Sequence, residues 1–259
     1  MTVILQSSLP FAPWMDPRTA RLPGVVPLEG DDWLGVDDAF AGQMALRDRL
    51  IAAMPEVVVG LRPEGRAAAA ELYDLVLARL RSVAGYQIGA TAATRPDGVT
   101  VALDRGRPLH TLGRLVQEDL CLLERQGEAH VLTGAVLCFP SSWSLDEKLG
   151  RALGGIHATV AAYDPELARR VQRMFDAIRV GQPLWRMNAL VYVNPDLHQP
   201  GREGAPRLER RNGQFVRAER QCFVRLPQTG AVLFAIHTYV VALATLSEAE
   251  RSGLQTARL

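Results

Sequence analysis

Residues 226–247 carry no formally charged side chain. A run of that length must leave water, either across a bilayer or inside a protein core. Pro227, Gln228, Gly230, His237 and several threonines interrupt it, and Pro227-Gln228-Thr229-Gly230 has the chemistry of a turn. The run is therefore predicted to be a buried strand beginning near Ala231 rather than a membrane span. Residues 215–226, just upstream, alternate with period two, and the short turn pairs the two segments as antiparallel strands.

Other strand-like runs lie at 99–103, 120–123, 131–139 and 185–193, with Gln126-Gly127 turning the middle two into a hairpin that Pro140 ends. Helical periodicity covers 37–54 and 63–83, each bounded by proline, and a third helix runs from Asp164-Pro165 to about Val180. Its inward face is read as Leu167, Val171, Met174, Phe175 and Ile178. Residues 1–35 have no clear period and read as an extended arm. Residues 194–214, rich in proline and arginine, read as a surface loop. Two helices followed by mostly antiparallel strands with one inserted helix give an α+β fold.

Composition narrows the function. Hydrophobic residues at 48% and charged residues at 22% are those of an ordinary globular protein, and a formal charge of +1 offers nothing to nucleic acid or anionic membrane. Cys121, Cys138 and Cys222 sit in apolar runs without a C-x-x-C spacing, so they read as small buried hydrophobes. The first fifteen residues lack the basic and apolar segments of a signal peptide, and the expected location is the cytoplasm.

A few residues do not suit a simple core. His157 follows Gly154-Gly155-Ile156, where the backbone can approach a flat ligand and imidazole can serve a metal. The plain alternative is a histidine satisfied by a backbone carbonyl. Alternation places Arg220 on a strand face with Val216, Ala218, Cys222, Val224 and Leu226, so its charge needs either a ligand group or a structural ion pair. Glu219 points the other way on an ideal strand, toward Arg217, Gln221 and Arg225. Lys148 and Arg186 are candidate anion partners, and Trp143 and Trp185 are apolar plates as suited to a core as to a cofactor.

In order and spacing, several pieces resemble the haem-dependent oxidative N-demethylase family. They are Q-E-D-L-C-L-L at 117–123, F-P-S-S-W at 139–143, Lys148 with Gly150, Ile156-His157, E-R-Q at 219–221, R-L-P at 225–227 and T-G-A-V-L-F at 229–234. The resemblance implies a PAS-like antiparallel sheet with flanking helices, in which residues 1–95 form an arm and helical extension packed on a haem-binding core at 96–259. It implies haem b, with His157 as the iron ligand and Lys148, Arg186 and Trp143 around the porphyrin. Glu219 and Arg220 would line the distal side as catalytic residues. The implied reaction is oxidative N-demethylation of a small secondary or tertiary amine with O₂, releasing formaldehyde. Electrons would come from a separate flavin/iron–sulfur reductase subunit, because the chain has no G-x-G-x-x-G fingerprint. The chain departs from the family at Ala189, Cys222 and His237, where the family tends to have tryptophan, threonine and arginine. Those departures keep open a non-catalytic haem-binding sensor or scaffold, or a module without haem.

Overall fold

The computed structural model describes residues 3–19, 24–156, 165–204 and 212–256. After an arm that includes β1 (Val26–Pro27) come α1 (Phe40–Ala53), α2 (Pro55–Val58), β2 (Val59–Leu61) and α3 (Arg66–Leu80). A small sheet of β3 (Gln87–Ile88), β4 (Ala92–Thr94) and β5 (Thr100–Ala102) leads to α4 (Pro108–Gly113). The hairpin β6 (Asp119–Gln126) and β7 (Ala129–Val136) precedes α5 (Leu145–Lys148), α6 (Leu153–Ile156) and α7 (Pro165–Ala177). The long strands β8 (Leu184–Tyr192), β9 (Phe215–Arg225) and β10 (Val232–Ala242) follow, and α8 (Glu248–Thr256) comes last.

The main sheet has the order β1-β8-β9-β10-β6-β7-β2 and every pairing in it is antiparallel. The fold is α+β, as its sequence pattern predicts. The expected charge-free strand is β10, buried at most of its length between β9 and β6. The turn before it closes with Gly230 at φ 71°, a left-handed backbone that glycine adopts without strain. Glu71 on α3 caps this turn, accepting hydrogen bonds from the backbone N–H groups of Gln228 (2.6 Å) and Thr229 (2.8 Å).

Each face of the sheet has its own cover. On the back face, Leu72, Val76, Leu109 and Leu112 from α3 and α4 pack with Leu120, Leu122, Leu233 and Ala235. Further along, Trp14 and Leu254 of α8 pack on Met187, Ala218 and Tyr239. On the front face, Leu145, Leu153 and Phe175 from α5, α6 and α7 meet Cys121, Leu132, Phe223 and Val232. Arg225 fastens α7 by donating to the carbonyls of Phe175 (2.6 Å) and Ile178 (3.1 Å), using acceptors that a helix end leaves open. The N-terminal region is woven into this arrangement, because β1 pairs with β8 and β2 with β7. Among the described residues no helix is long and apolar enough to cross a membrane.

Candidate functional site

The register of β8, β9 and β10 decides which side chains meet. Arg186 lies opposite Gln221, and Asn188, Glu219 and Thr238 form the next rung. All five belong to the front face, between the aromatic packing of Phe175, Phe223 and Phe234 at one end and Phe139 with Leu197 at the other. Arg186 donates to Oε1 of Gln221 (3.1 Å), and Gln221 donates to Oε2 of Glu219 (3.1 Å). Asn188 also donates to Glu219 (3.4 Å), and Nε of Arg217 stands 3.5 Å from its other oxygen. Arg217 spends its remaining donors on the carbonyls of Leu197 (2.9 Å) and Phe139 (2.6 Å), which holds the segments after β7 and β8 against the sheet.

This polar row is incompletely satisfied. Among the described residues, Nε of Arg186, Nε of Arg217 and the hydroxyl of Thr238 are buried without a hydrogen-bond partner. Burial pushes the Arg186 guanidinium below its ordinary pKa, and Glu219 only partly offsets this. Buried donors left open on a cation are costly, and they are what an anionic group entering from the front would complete.

A second buried polar group lies on the back face. Nδ1 of His237 is 2.8 Å from Glu118 and Nε2 is 3.0 Å from Asp37. Burial opposes a charged imidazole, but the two carboxylates outweigh it and raise the His237 pKa to about 9. Gln117 and Gln6 donate to Asp37 (2.8 and 2.7 Å), and the Gly35 N–H donates to Glu118 (2.7 Å). Asp119 accepts from Arg47 (2.7 Å) and from the N–H groups of Cys138 (2.7 Å) and Phe139 (2.8 Å). Gln117, Glu118 and Asp119 therefore rivet the arm, α1 and the end of β7 to the sheet.

A family model described as haem-dependent oxidative N-demethylase, alpha subunit-like, matches residues 24–258. The chain belongs to this family. Its signature pieces have two destinations in the fold: Q-E-D builds the rivet, whereas Glu219 and Gln221 of E-R-Q build the front row together with Arg186.

The N-demethylase-like residues expected to cooperate are not all neighbours. Arg220 faces the back, across from Met187 and His237, while Glu219 faces the front, because β9 passes 219 and 220 without a bulge. The two therefore do not line one chamber as expected. Among the described residues Arg220 has no ion pair, and its surround is not fully apolar: it donates to the Asp32 carbonyl (2.5 Å) and lies over the Trp185 ring at 5.8 Å. Ala189, Cys222 and His237, where the chain departs from the family, also face the back. Lys148 is buried and paired with Glu203 at 2.5 Å, and Trp143 packs beside the front-face cluster. His157 lies outside the described residues.

The other histidines differ in what they can offer a metal. His237 has both nitrogens committed to carboxylates. His130 accepts at Nδ1 from Gln172 (2.8 Å), which places its proton on the buried Nε2. His110 lies beside Arg107 on α4. Nδ1 of His198 bonds to the Cys138 carbonyl (2.8 Å), which leaves Nε2 as its acceptor nitrogen. The front face thus offers buried cationic donors, at Arg186 and Arg217, of the kind that suits the carboxylates of a haem. The three cysteines are free and buried, their thiols pushed up by burial.

Proposed function

We propose that the chain is the haem b-binding subunit of an oxidative N-demethylase for a small secondary or tertiary amine. The family match supports the reading, and the buried Nε of Arg186 on the front face, without a partner among the described residues, carries it within the chain. Arg186 would receive a propionate, since an anion there completes a donor that has no partner among the described residues. Lys148 would be a weaker partner, because Glu203 already holds it. His157 would hold the iron, and Trp143 would pack at the porphyrin edge. Haem, when bound, supplies the activation of O₂, for which the protein needs two electrons and two protons per turnover. One oxygen atom leaves with the methyl carbon as formaldehyde, the other leaves as water, and the nitrogen takes a hydrogen in place of the methyl. Glu219, steadied by Gln221 and Asn188, would accept from the N–H of a secondary amine or of a protonated tertiary amine and fix the substrate's orientation.

The electrons would come from a separate flavin/iron–sulfur reductase subunit, a reading that the family's alpha-subunit description supports. The test is the absorption spectrum of the purified, haem-reconstituted protein, followed by O₂ uptake with an electron donor. A bound-haem Soret band and uptake that rises with added dimethylamine, with formaldehyde formed in equal amount, are expected. A spectrum indistinguishable from free haem overturns the reading. Bound haem without amine-dependent uptake would leave the sensor or scaffold alternative in its place.

A further inference from the structure

A cavity of about 350 Å³ opens on the back face, away from the polar row. Phe11 and Pro10 of the arm bound it on one side, Leu34 and Gly35 on another, and Trp185, Met187, Arg220 and Tyr239 form its floor. It lies at the seam between the two helical covers of that face, and its exposed rim residues, Pro10 and Asp32, leave it open to solvent. The volume is that of a small-molecule site, and the lining is mostly aromatic and apolar with one cation.

The cation decides what fits. Arg220 donates to the Asp32 carbonyl, a neutral acceptor, and among the described residues it has no carboxylate partner. The Asp32 carboxylate is itself engaged by Arg79 at 3.0 Å. Glu118 and Asp37 lie behind Gly35, but both are committed to His237. The guanidinium is held in place by its position over Trp185, which Phe11 meets edge-on at 5.6 Å. A planar fork beside an aromatic plate suits a carboxylate attached to a flat or apolar body. It disfavours an ammonium ion, so this is not a second amine site.

We propose that the back-face cavity binds a small organic carboxylate with an aromatic or apolar body, its carboxylate on Arg220 and its body between Phe11, Trp185 and Met187. The site is independent of haem. Its test is calorimetric titration of the purified chain with sodium benzoate, benzylamine hydrochloride and benzyl alcohol, with the absorption spectrum followed in parallel. Saturable one-to-one benzoate binding is expected, with no benzylamine binding and no change in the spectrum of any bound haem. Arg220→Lys keeps the charge but loses the fork and should weaken benzoate by about tenfold, and Arg220→Leu should abolish binding. Absence of saturable benzoate binding overturns the proposal, as does equal affinity for benzyl alcohol. So does unchanged benzoate affinity in Arg220→Lys, or a haem spectrum that shifts with benzoate, which would put the ligand on the other face. If Arg220→Leu fails to fold, Arg220→Lys alone decides.

Discussion

Glu219 and Arg220 are consecutive in β9 and send their side chains to opposite faces of the main sheet. Glu219 joins Arg186, Asn188 and Gln221 on the front face, and Arg220 joins Trp185 and Tyr239 under the N-terminal arm. The E-R-Q piece is therefore a bridge between two environments rather than a single catalytic cluster. A strand in a two-sided sheet has to serve both faces with alternate residues, so neighbours in sequence are separated by the thickness of the sheet.

His157→Ala should lose haem on gel filtration, whereas His237→Ala should keep the iron coordinated even if the fold is weakened. Both nitrogens of His237 are occupied by carboxylates on the back face, so that ring has no electron pair to give a metal. The Soret absorbance of the two purified variants checks this. A His237 variant that bleaches while His157→Ala stays red would move the iron to the other face.

Arg186→Leu should separate cost from use. Without haem the guanidinium has a buried Nε with no partner among the described residues, so replacing it with an apolar side chain should change stability by less than about 1 kcal/mol, or raise it. With haem, the same variant should lose the cofactor faster, by about tenfold, through a missing charge-assisted hydrogen bond. Thermal unfolding of the haem-free form and the rate of haem transfer to an acceptor globin read the two effects separately. Unchanged transfer would remove Arg186 from the propionate site.

Much of the fold was legible, and for physical reasons. The long strands β9 and β10 span enough residues to display alternation, and their Pro-Gln-Thr-Gly turn has a glycine where a positive φ is required. The small sheet was legible only at β5, because strands of two or three residues cannot show a period. Helix α8 was missed although Ser247 and Glu250 form a capping box, a signal that four residues carry by themselves. In the site, alternation correctly sent Glu219 and Arg220 apart. What sequence could not supply was the partners of Glu118 and Asp119, which come from Asp37-bound His237 and from Arg47, far away along the chain. Side chains that look like chemistry in a motif proved to be joints between layers.

Stability should fall on the alkaline side through His237. Its folded pKa of about 9 lies above the ordinary 6.5, so the ion pairs contribute fully below pH 6.5 and are lost as pH rises through 9. That rise corresponds to roughly 3 kcal/mol. Asp37, held below its ordinary 3.8 by His237 against the effect of burial, has the opposite sign and matters only as pH falls below that value. Tyr239 and Arg220 also face this group; burial raises the tyrosine pKa, so its proton stays on across this window. Denaturant unfolding between pH 6 and 9.5 should show the loss, and His237→Arg, whose charge does not titrate there, should flatten it. Equal slopes in the two proteins would mean that His237 is not the titrating group.

Asp119 should matter more than its ion-pair partner Arg47. Both are fully buried at 2.7 Å, but their other obligations differ. Removing Arg47 leaves Asp119 still accepting from the N–H groups of Cys138 and Phe139. Removing Asp119 strands a buried guanidinium and also those two backbone donors, each of which carries a desolvation cost of about 1–3 kcal/mol when unpaired. Arg47 keeps some compensation from the carbonyls of Gly113 (2.9 Å) and Gln117 (3.2 Å), and from its place 5.3 Å over the Phe139 ring. Asp119→Leu should therefore cost at least the roughly 3–5 kcal/mol typical of breaking a buried pair, and exceed Arg47→Met by about 2 kcal/mol. Urea unfolding of the two single variants gives the order directly. If Arg47→Met proves the more damaging, the strength of this joint lies in the guanidinium's grip on α4 and β6 rather than in the aspartate's hold on the end of β7.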